Sequence, residues 1–498
     1  MDQVTNAADF LLAAGREDDV ALLEAQRSHT YGQLRQAAGT LAAELAGLGL
    51  PPGSRVGIMG ANSAFWVAAY LATIKLNYVA VPFSAVLTPA EVTRNADWAG
   101  IRAVLLDRRQ QRRFAPALPS GTAVITDAVL DNDIEPVWPS DTTTDPHADA
   151  VLLFTSGTTS RPKAVRLTHR NIQANTTSIV EYLGLRRDDR MLVILPFYYC
   201  YGTSLLHTHL RVGASLALCN TFTYPETAVE MIEREQCTGF AGVPSSIQLL
   251  LRASTLAKKP LPSLRHIQQA GGKLPPAQIK ELVAAQPQAR VFIMYGQTEA
   301  TARLSYLPPE LVLEKIGSIG RGIPGVELRV VDDAGNPVAP GQTGEIVARG
   351  DNVSPGYLGD PEGTAEKFPE GRLRTGDLAT VDADGFIYVL DRKDDFIKSW
   401  GYRISSQEVE ACALHLPDLV SAAVVGVPDS RAGEAVTLFA TLRPGSTATP
   451  DSIVEFMRTQ LAPHMVPETV YLVDALPLNS SGKVVKAELR SQAISRSA

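Results

Sequence analysis

The densest set of phosphate-binding groups lies at residues 155–165, TSGTTSRPKAV, directly after the apolar run 151–154. An apolar run of that length bounded by a turn-rich segment predicts a buried strand feeding a loop. Thr155, Ser156, Thr158, Thr159 and Ser160 offer hydroxyls, Gly157 lets backbone N–H groups approach a ligand, and Lys163 adds a mobile cation. The spacing is not that of the G-x-x-x-x-G-K-[ST] loop, because Pro162 stands where the second glycine is needed and Ala164 follows Lys163. Proline also removes a backbone donor and stiffens the turn. On these residues alone, a solvated Ser/Thr turn and a different kind of polyphosphate cradle both stand.

Further chemistry-bearing residues follow downstream. YGQTEA, residues 295–300, comes after the strand pattern 291–294, which puts it at the edge where open α/β sheets bind ligands. Tyr295 can stack on a purine, Thr298 can bond a phosphate, and Glu299 offers a hard oxygen to magnesium. A helix start capped by Thr298 is the alternative. Ala270, Gly271 and Gly272 end the strand pattern 266–269 and present little side chain, so a flat ring can lie against the backbone. In the run RTGDL, Asp377 can accept hydrogen bonds from both hydroxyls of a ribose, or the run is a surface turn. NSSGK, residues 479–483, sets Lys483 behind a Ser-Ser-Gly turn, and a lysine there suits an α-phosphate and an attacking carboxylate. Two further patterns carry no chemistry. Gly320, Gly322 and Gly325 spell GxGxxG, but a strand pattern follows where a dinucleotide fingerprint needs a helix. His207 and His209 are two apart, which does not put two metal ligands on one helical face.

TSGTTSRPKAV resembles the signature loop of the acyl-adenylate-forming superfamily, which includes acyl-CoA synthetases, aryl-acid ligases, luciferases and stand-alone adenylation enzymes. The other motifs follow in that superfamily's order, from Thr155 to Lys483. The resemblance implies ATP, Mg2+ and an acyl acceptor, either coenzyme A or a carrier-protein phosphopantetheine. It implies nucleotide contacts from Thr155, Ser156, Gly157, Thr158, Thr159, Lys163, Ala270, Gly271, Gly272, Tyr295, Gly296, Thr298, Asp377, Arg392 and Lys483. Magnesium would sit at Glu299 with Thr155, and Lys483, Glu299 and Thr298 would carry catalysis. In DRKDDFIKSWGYRI, residues 391–404, Arg392 would contact ribose, Asp394 would be the hinge, and Lys398 and Gly401 would line a pantetheine tunnel.

LPFYYCYG, residues 195–202, matches the superfamily's segment beside the acyl pocket. It departs by carrying Tyr199 where acyl-CoA synthetases and aryl-acid ligases often have histidine. Cys200 stands where amino-acid activators usually place an aspartate against the substrate ammonium, and a cysteine offers no such charge. A carboxylic acid without an α-ammonium group is therefore expected, small, medium or aromatic if Tyr198, Tyr199 and Tyr201 face inward. A stand-alone amino-acid adenylation enzyme and a non-catalytic nucleotide-binding scaffold are the alternatives.

These residues need a large frame. The chain has 498 residues, beyond the size at which one core keeps growing. Strand patterns at 55–59, 79–82, 103–106, 123–126, 151–154, 191–195, 215–218, 266–269 and 291–294 alternate with helical ones at 34–50, 63–76, 169–183 and 201–210. That alternation predicts mostly parallel sheets in an α/β body. From about residue 316, VELRVVD, GEIVARG and FIYVL predict a small antiparallel unit. The expected fold is thus a large N-terminal domain of two mostly parallel α/β sheets plus a small β unit over 1–390. A hinge linker at 391–395 and a small mobile α+β domain at 396–498 complete it. The net charge of −7 gives no reason to expect nucleic acid, and no apolar run approaches 18 residues. The N-terminus carries an early acid and no basic segment before an apolar core, so a cytoplasmic protein without a secretory signal is expected. Cys200, Cys219, Cys237 and Cys412 are widely spaced and predict buried free thiols.

Overall fold

The computed structural model describes residues 6–25, 27–132, 136, 138–139, 143–155, 163–392, 396–429, 431–443, 445–479 and 484–497. Its N-terminal part holds two large sheets. One runs Ala123–Thr126, Ile101–Leu106, Arg55–Met59, Val79–Phe83, Asp149–Thr155, Lys163–Thr168, and only its last pair is antiparallel. The other has nine strands, with Ser215–Leu218, Arg190–Val193, Gly239–Gly242, His266–Gln269 and Arg290–Tyr295 parallel at its centre. Helices between parallel strands supply the crossovers that such sheets require.

The helix Ala64–Lys75 shows why the sheets close on each other. Its residues from Phe65 to Lys75 are all buried, the behaviour of a helix that is apolar all round, and Ser63 caps it by accepting from Trp66 N–H. Trp66 stacks on Tyr70 at 5.3 Å and meets Phe197 at 5.4 Å, in a cluster that also takes Val151 and Leu153 from one sheet and Val193 and Phe292 from the other. The helix Cys200–Val212 joins the same cluster and carries Cys200 into it.

The small β unit is a four-stranded antiparallel sheet, Val326–Val331, Gly344–Gly350, Leu373–Val381, Ile387–Arg392. The RTGD run is not a surface turn: Arg374 to Asp377 lie inside the third strand, where Gly376 takes φ +80°. A strand follows the GxGxxG run, as expected, and Gly320 is a glycine because a Cβ there would lie 1.8 Å from the Tyr306 carbonyl oxygen. The last strand extends through Arg392, so Asp391 and Arg392 belong to the sheet.

The smaller C-terminal domain forms around Leu419–Asp429 and Gly433–Leu442, with helices Ser406–Ala413, Pro450–Gln460 and Lys486–Ser497. Asp391 ties it to the preceding sheet. Fully buried, its carboxylate accepts from Ser406 Oγ at 2.9 Å, Ser405 Oγ at 3.2 Å and Gln407 Nε2 at 3.2 Å, at the start of the Ser406–Ala413 helix. All four cysteines are buried and unbridged. His207 and His209 are buried in the core with their pKa lowered by burial, and no cluster of metal-ligating side chains occurs among the described residues. Nor is any described helix long and apolar enough to cross a membrane.

Candidate active site

The signature loop springs from the hairpin of Asp149–Thr155 and Lys163–Thr168, which pairs Thr155 with Lys163. Ser156, Gly157, Thr158 and Thr159 lie outside the described residues. The hairpin aims Lys163 at a residue the sequence did not single out: its Nζ stands 4.6 Å above the ring of Tyr357. The Tyr357 hydroxyl donates to Glu299 Oε1 at 2.9 Å. A cation, an aromatic hydroxyl and a carboxylate thus stand in a row between the hairpin and the Thr298–Ala300 turn.

Backbone pairing sets this row. Leu358 N–H donates to Ala164 O and Arg166 N–H to Gly356 O, which lays the 356–358 segment along the hairpin. Ser354 N–H then donates to Glu299 O at 2.9 Å, fixing the other end. Burial, and next the Glu299 charge, push the Tyr357 hydroxyl above its ordinary range, so it remains a donor. Lys367 is a second unforeseen cation nearby. Its Nζ donates to Thr375 O at 2.8 Å, and burial lowers its pKa while Glu299 and Asp377 raise it.

Asp377 faces Arg392 across the antiparallel pair, with Oδ1 to Nε at 3.3 Å, and its Oδ2 accepts from the Tyr295 hydroxyl. Tyr295, expected as a stacking surface, is therefore also a hydroxyl donor to the expected ribose carboxylate. Burial, then the Asp377 charge, hold its pKa well above the usual range.

Thr298 Oγ1 lies 3.4 Å from Cys200 Sγ, joining the turn to the segment expected beside the acyl pocket. The 270–272 turn closes the same wall. Gly271 has φ +87°, and a Cβ there would fall 2.9 Å from Val243 Cγ1 and 3.1 Å from the Tyr199 hydroxyl. Ala270 is buried, and Gly272 packs near Pro244. Tyr201 is fully buried and donates to Gln268 O at 2.9 Å, so its ring is a fixed part of this wall. Gly296 has a packing reason, since a Cβ would lie 2.0 Å from Ala302 O. The turn is strained as well: Thr301, β-branched, takes φ +65° and is held by its hydroxyl on Asn352 O at 2.8 Å.

Some expected residues are not brought to this place. Lys398 and Gly401 sit in the hairpin Ile397–Ser399 and Tyr402–Ile404, whose tip holds exposed Trp400 at φ +51° and Gly401 at φ +80°. The hinge residue Asp394 and the catalytic candidate Lys483 lie outside the described residues. Tyr357, Lys367 and the buried Arg303 gave no local signal, because their neighbours in space are remote in sequence.

Residues 12–358 match the AMP-binding enzyme family, and residues 408–483 match the AMP-binding enzyme C-terminal domain. The chain is 34% identical to a feruloyl-CoA synthase of an Amycolatopsis species, covering 93% of each chain. It is 31% identical to the 2-succinylbenzoate–CoA ligase of Geobacillus kaustophilus, covering 95% of this chain and 94% of that one. Among solved structures, the anthranilate CoA ligase AuaEII in complex with anthranoyl-AMP superposes with a TM-score of 0.91 at 26% identity, over 99% of this chain and 98% of that one. The o-succinylbenzoate CoA synthetase of Bacillus subtilis with its acyl-adenylate intermediate gives a TM-score of 0.87 at 27% identity, over 97% and 98%. The chain belongs to the AMP-binding enzyme family and is an AMP-forming acid–thiol ligase of the acyl-CoA synthetase kind.

Proposed function

We propose that this enzyme joins a carboxylic acid lacking an α-ammonium group to ATP, releasing pyrophosphate, and then passes the acyl group to the thiol of coenzyme A. The observation that carries the reading is the convergence of the Lys163–Tyr357–Glu299 row and the Tyr295–Asp377–Arg392 set with the Cys200 wall at the Thr298 turn.

ATP and Mg2+ fit these groups. Tyr357 occupies Oε1 of Glu299, and one carboxylate together with phosphate oxygens is a usual Mg2+ environment. Thr155, at the base of the loop, would share that site, and bound Mg2+ would neutralise phosphate charge there. Residues 155–159 and Lys163 would hold the β- and γ-phosphates, and Thr298 the α-phosphate. Asp377 and Arg392 would hold the ribose, and the 270–272 turn with Tyr295 and Gly296 the adenine. A carboxylate oxygen of the acid attacks the α-phosphorus as the bond to pyrophosphate breaks, and Lys483 would stabilise the charge that develops. The thiol then attacks the acyl carbon and AMP leaves. For that step the 396–498 domain would swing about Asp394, after the strand that ends at Arg392, bringing Lys398 and Gly401 to the pantetheine arm.

The relatives named as CoA ligases support coenzyme A over a separate carrier protein. Cys200 beside Thr298 offers no carboxylate to an ammonium, which supports the substrate class. Acid-dependent ATP–pyrophosphate exchange over a broad panel tests the reading, and its absence would point to a non-catalytic nucleotide binder. Lys483→Ala should lower adenylation by a factor of ~100 to 1,000 while sparing thioester formation from supplied acyl-AMP. Equal loss of both half-reactions refutes the swing. Preference for α-amino acids refutes the Cys200 argument, and acyl transfer to a carrier but not to coenzyme A refutes the acceptor.

A further inference from the structure

Arg303 is among the largest fully buried side chains, at 2% exposure. It follows the Thr298–Ala300 turn, and its guanidinium carbon stands 3.9 Å above the ring of Tyr201. No carboxylate among the described residues forms an ion pair with it, and its Nε has no hydrogen-bond partner among them. Its charge lowers the pKa of the buried tyrosines Tyr182, Tyr199 and Tyr201 against the larger effect of burial. Beside it, Gln268 holds the Tyr201 hydroxyl through its carbonyl, while its own buried amide has neither oxygen nor nitrogen partnered among the described residues.

A guanidinium cannot be neutralised by losing its proton, and burying it without a counter-charge is expensive. Such a group, stacked on Tyr201 whose ring lies 6.4 Å from that of Tyr199, calls for an anion that no described residue supplies. The planar fork matches a carboxylate with two parallel hydrogen bonds. A neutral aromatic or aliphatic acid would leave both the fork and the Gln268 amide unmet.

We propose that the acid activated by this enzyme is a dicarboxylic acid: one carboxylate takes the AMP, and the second is held by Arg303, with the Gln268 amide beside it. This rests on the adenylation reading above and names its substrate class. The chemistry at the reacting end is unchanged, because the second carboxylate forms and breaks no covalent bond. Its role is to set which acid binds and which way round.

The test is pyrophosphate release by the full-length enzyme with succinate, glutarate, phthalate and isophthalate, each paired with its monoamide, and with benzoate and ferulate as acids of single charge. At least one diacid should exceed its monoamide by about tenfold or more in kcat/KM, the scale of a charged hydrogen-bonded pair. Arg303→Gln should remove or reverse that preference, and Arg303→Lys should keep part of it. The wild-type ratio decides the matter even if Arg303→Gln does not fold. Monoamides or single-charge acids turned over as well as every diacid, or an Arg303→Gln effect equal for all acids, overturns the proposal while adenylation stands. No acid-dependent release with any compound removes the adenylation reading itself, and this proposal with it.

Discussion

Replacing Tyr357 by phenylalanine isolates one hydroxyl in the proposed site. The ring would keep its edge contact with Phe368 at 5.5 Å and its place 4.6 Å under Lys163 Nζ. Only the 2.9 Å donation to Glu299 Oε1 is lost, from a carboxylate that is 9% exposed and hence poorly compensated by water. A hydrogen bond to a charged group contributes roughly 1.5–3 kcal/mol. At about 1.4 kcal/mol per factor of ten, that corresponds to roughly tenfold to a hundredfold. Tyr357 acts through Glu299 as a positioning residue, so the effect should follow magnesium. Acid-dependent ATP–pyrophosphate exchange is expected to fall by that factor, with half-maximal Mg2+ shifted upward and the KM of the acid unchanged. A thermal melt by circular dichroism separates this from loss of fold, and Tyr357→Leu, which also removes the ring contacts, should melt lower than Tyr357→Phe. Wild-type exchange and magnesium dependence in Tyr357→Phe, or an effect confined to the acid KM, would refute the reasoning.

Stability should fall in mild acid. Burial lowers the pKa of His169 from 6.5 to about 4, and its Nδ1 accepts from Ala7 N–H at 3.0 Å, so the folded state holds it neutral. His207, hydrogen bonded to the Tyr70 hydroxyl at 2.8 Å, is lowered to about 3. Each binds a proton more readily when unfolded, so the stability is full above about 6.5 and is lost as pH falls from there toward about 4 for His169 and about 3 for His207. For His169 this is worth about 3 kcal/mol, and His169→Gln should flatten that part of a melting-temperature profile against pH. Lys75 is 2% exposed and rests on Asp9 at 2.6 Å, so Asp9→Ala should cost roughly 3–5 kcal/mol by stranding a buried charge, and Lys75→Met less, as read from urea midpoints. Gly296→Ala would push a Cβ against the Ala302 carbonyl. It should cost about 1–3 kcal/mol and lower exchange activity by moving the turn that carries Glu299, both absent if the turn yields freely.

Much of the frame was legible in the sequence because its signals are local. The patterns at 55–59, 123–126, 169–183, 215–218 and 266–269 coincide with the observed strands and helix. Side-chain period and flanking turn or cap residues act within a few positions, as Thr168 does in accepting from Asn171 N–H at 3.1 Å. Local signals left RTGD open between a ribose contact and a surface turn, and pairing to the strands on either side makes it a strand with one left-handed glycine. Tertiary context overrides turn propensity there.

The order of the motifs determined, without any coordinates, the family and the place in the chain to look for ATP, magnesium and the acid. Tertiary structure alone decided what those residues touch. Tyr357 meets Glu299, 58 positions away in sequence, and Tyr295 meets Asp377, 82 positions away. Neither pairing has a periodicity, because each depends on how the small β sheet and its preceding segment dock on the large ones. Arg303 makes the point most sharply. In the sequence it is one arginine in the run after YGQTEA, and only burial over Tyr201, with no counter-ion among the described residues, turns it into a group that calls for an anion.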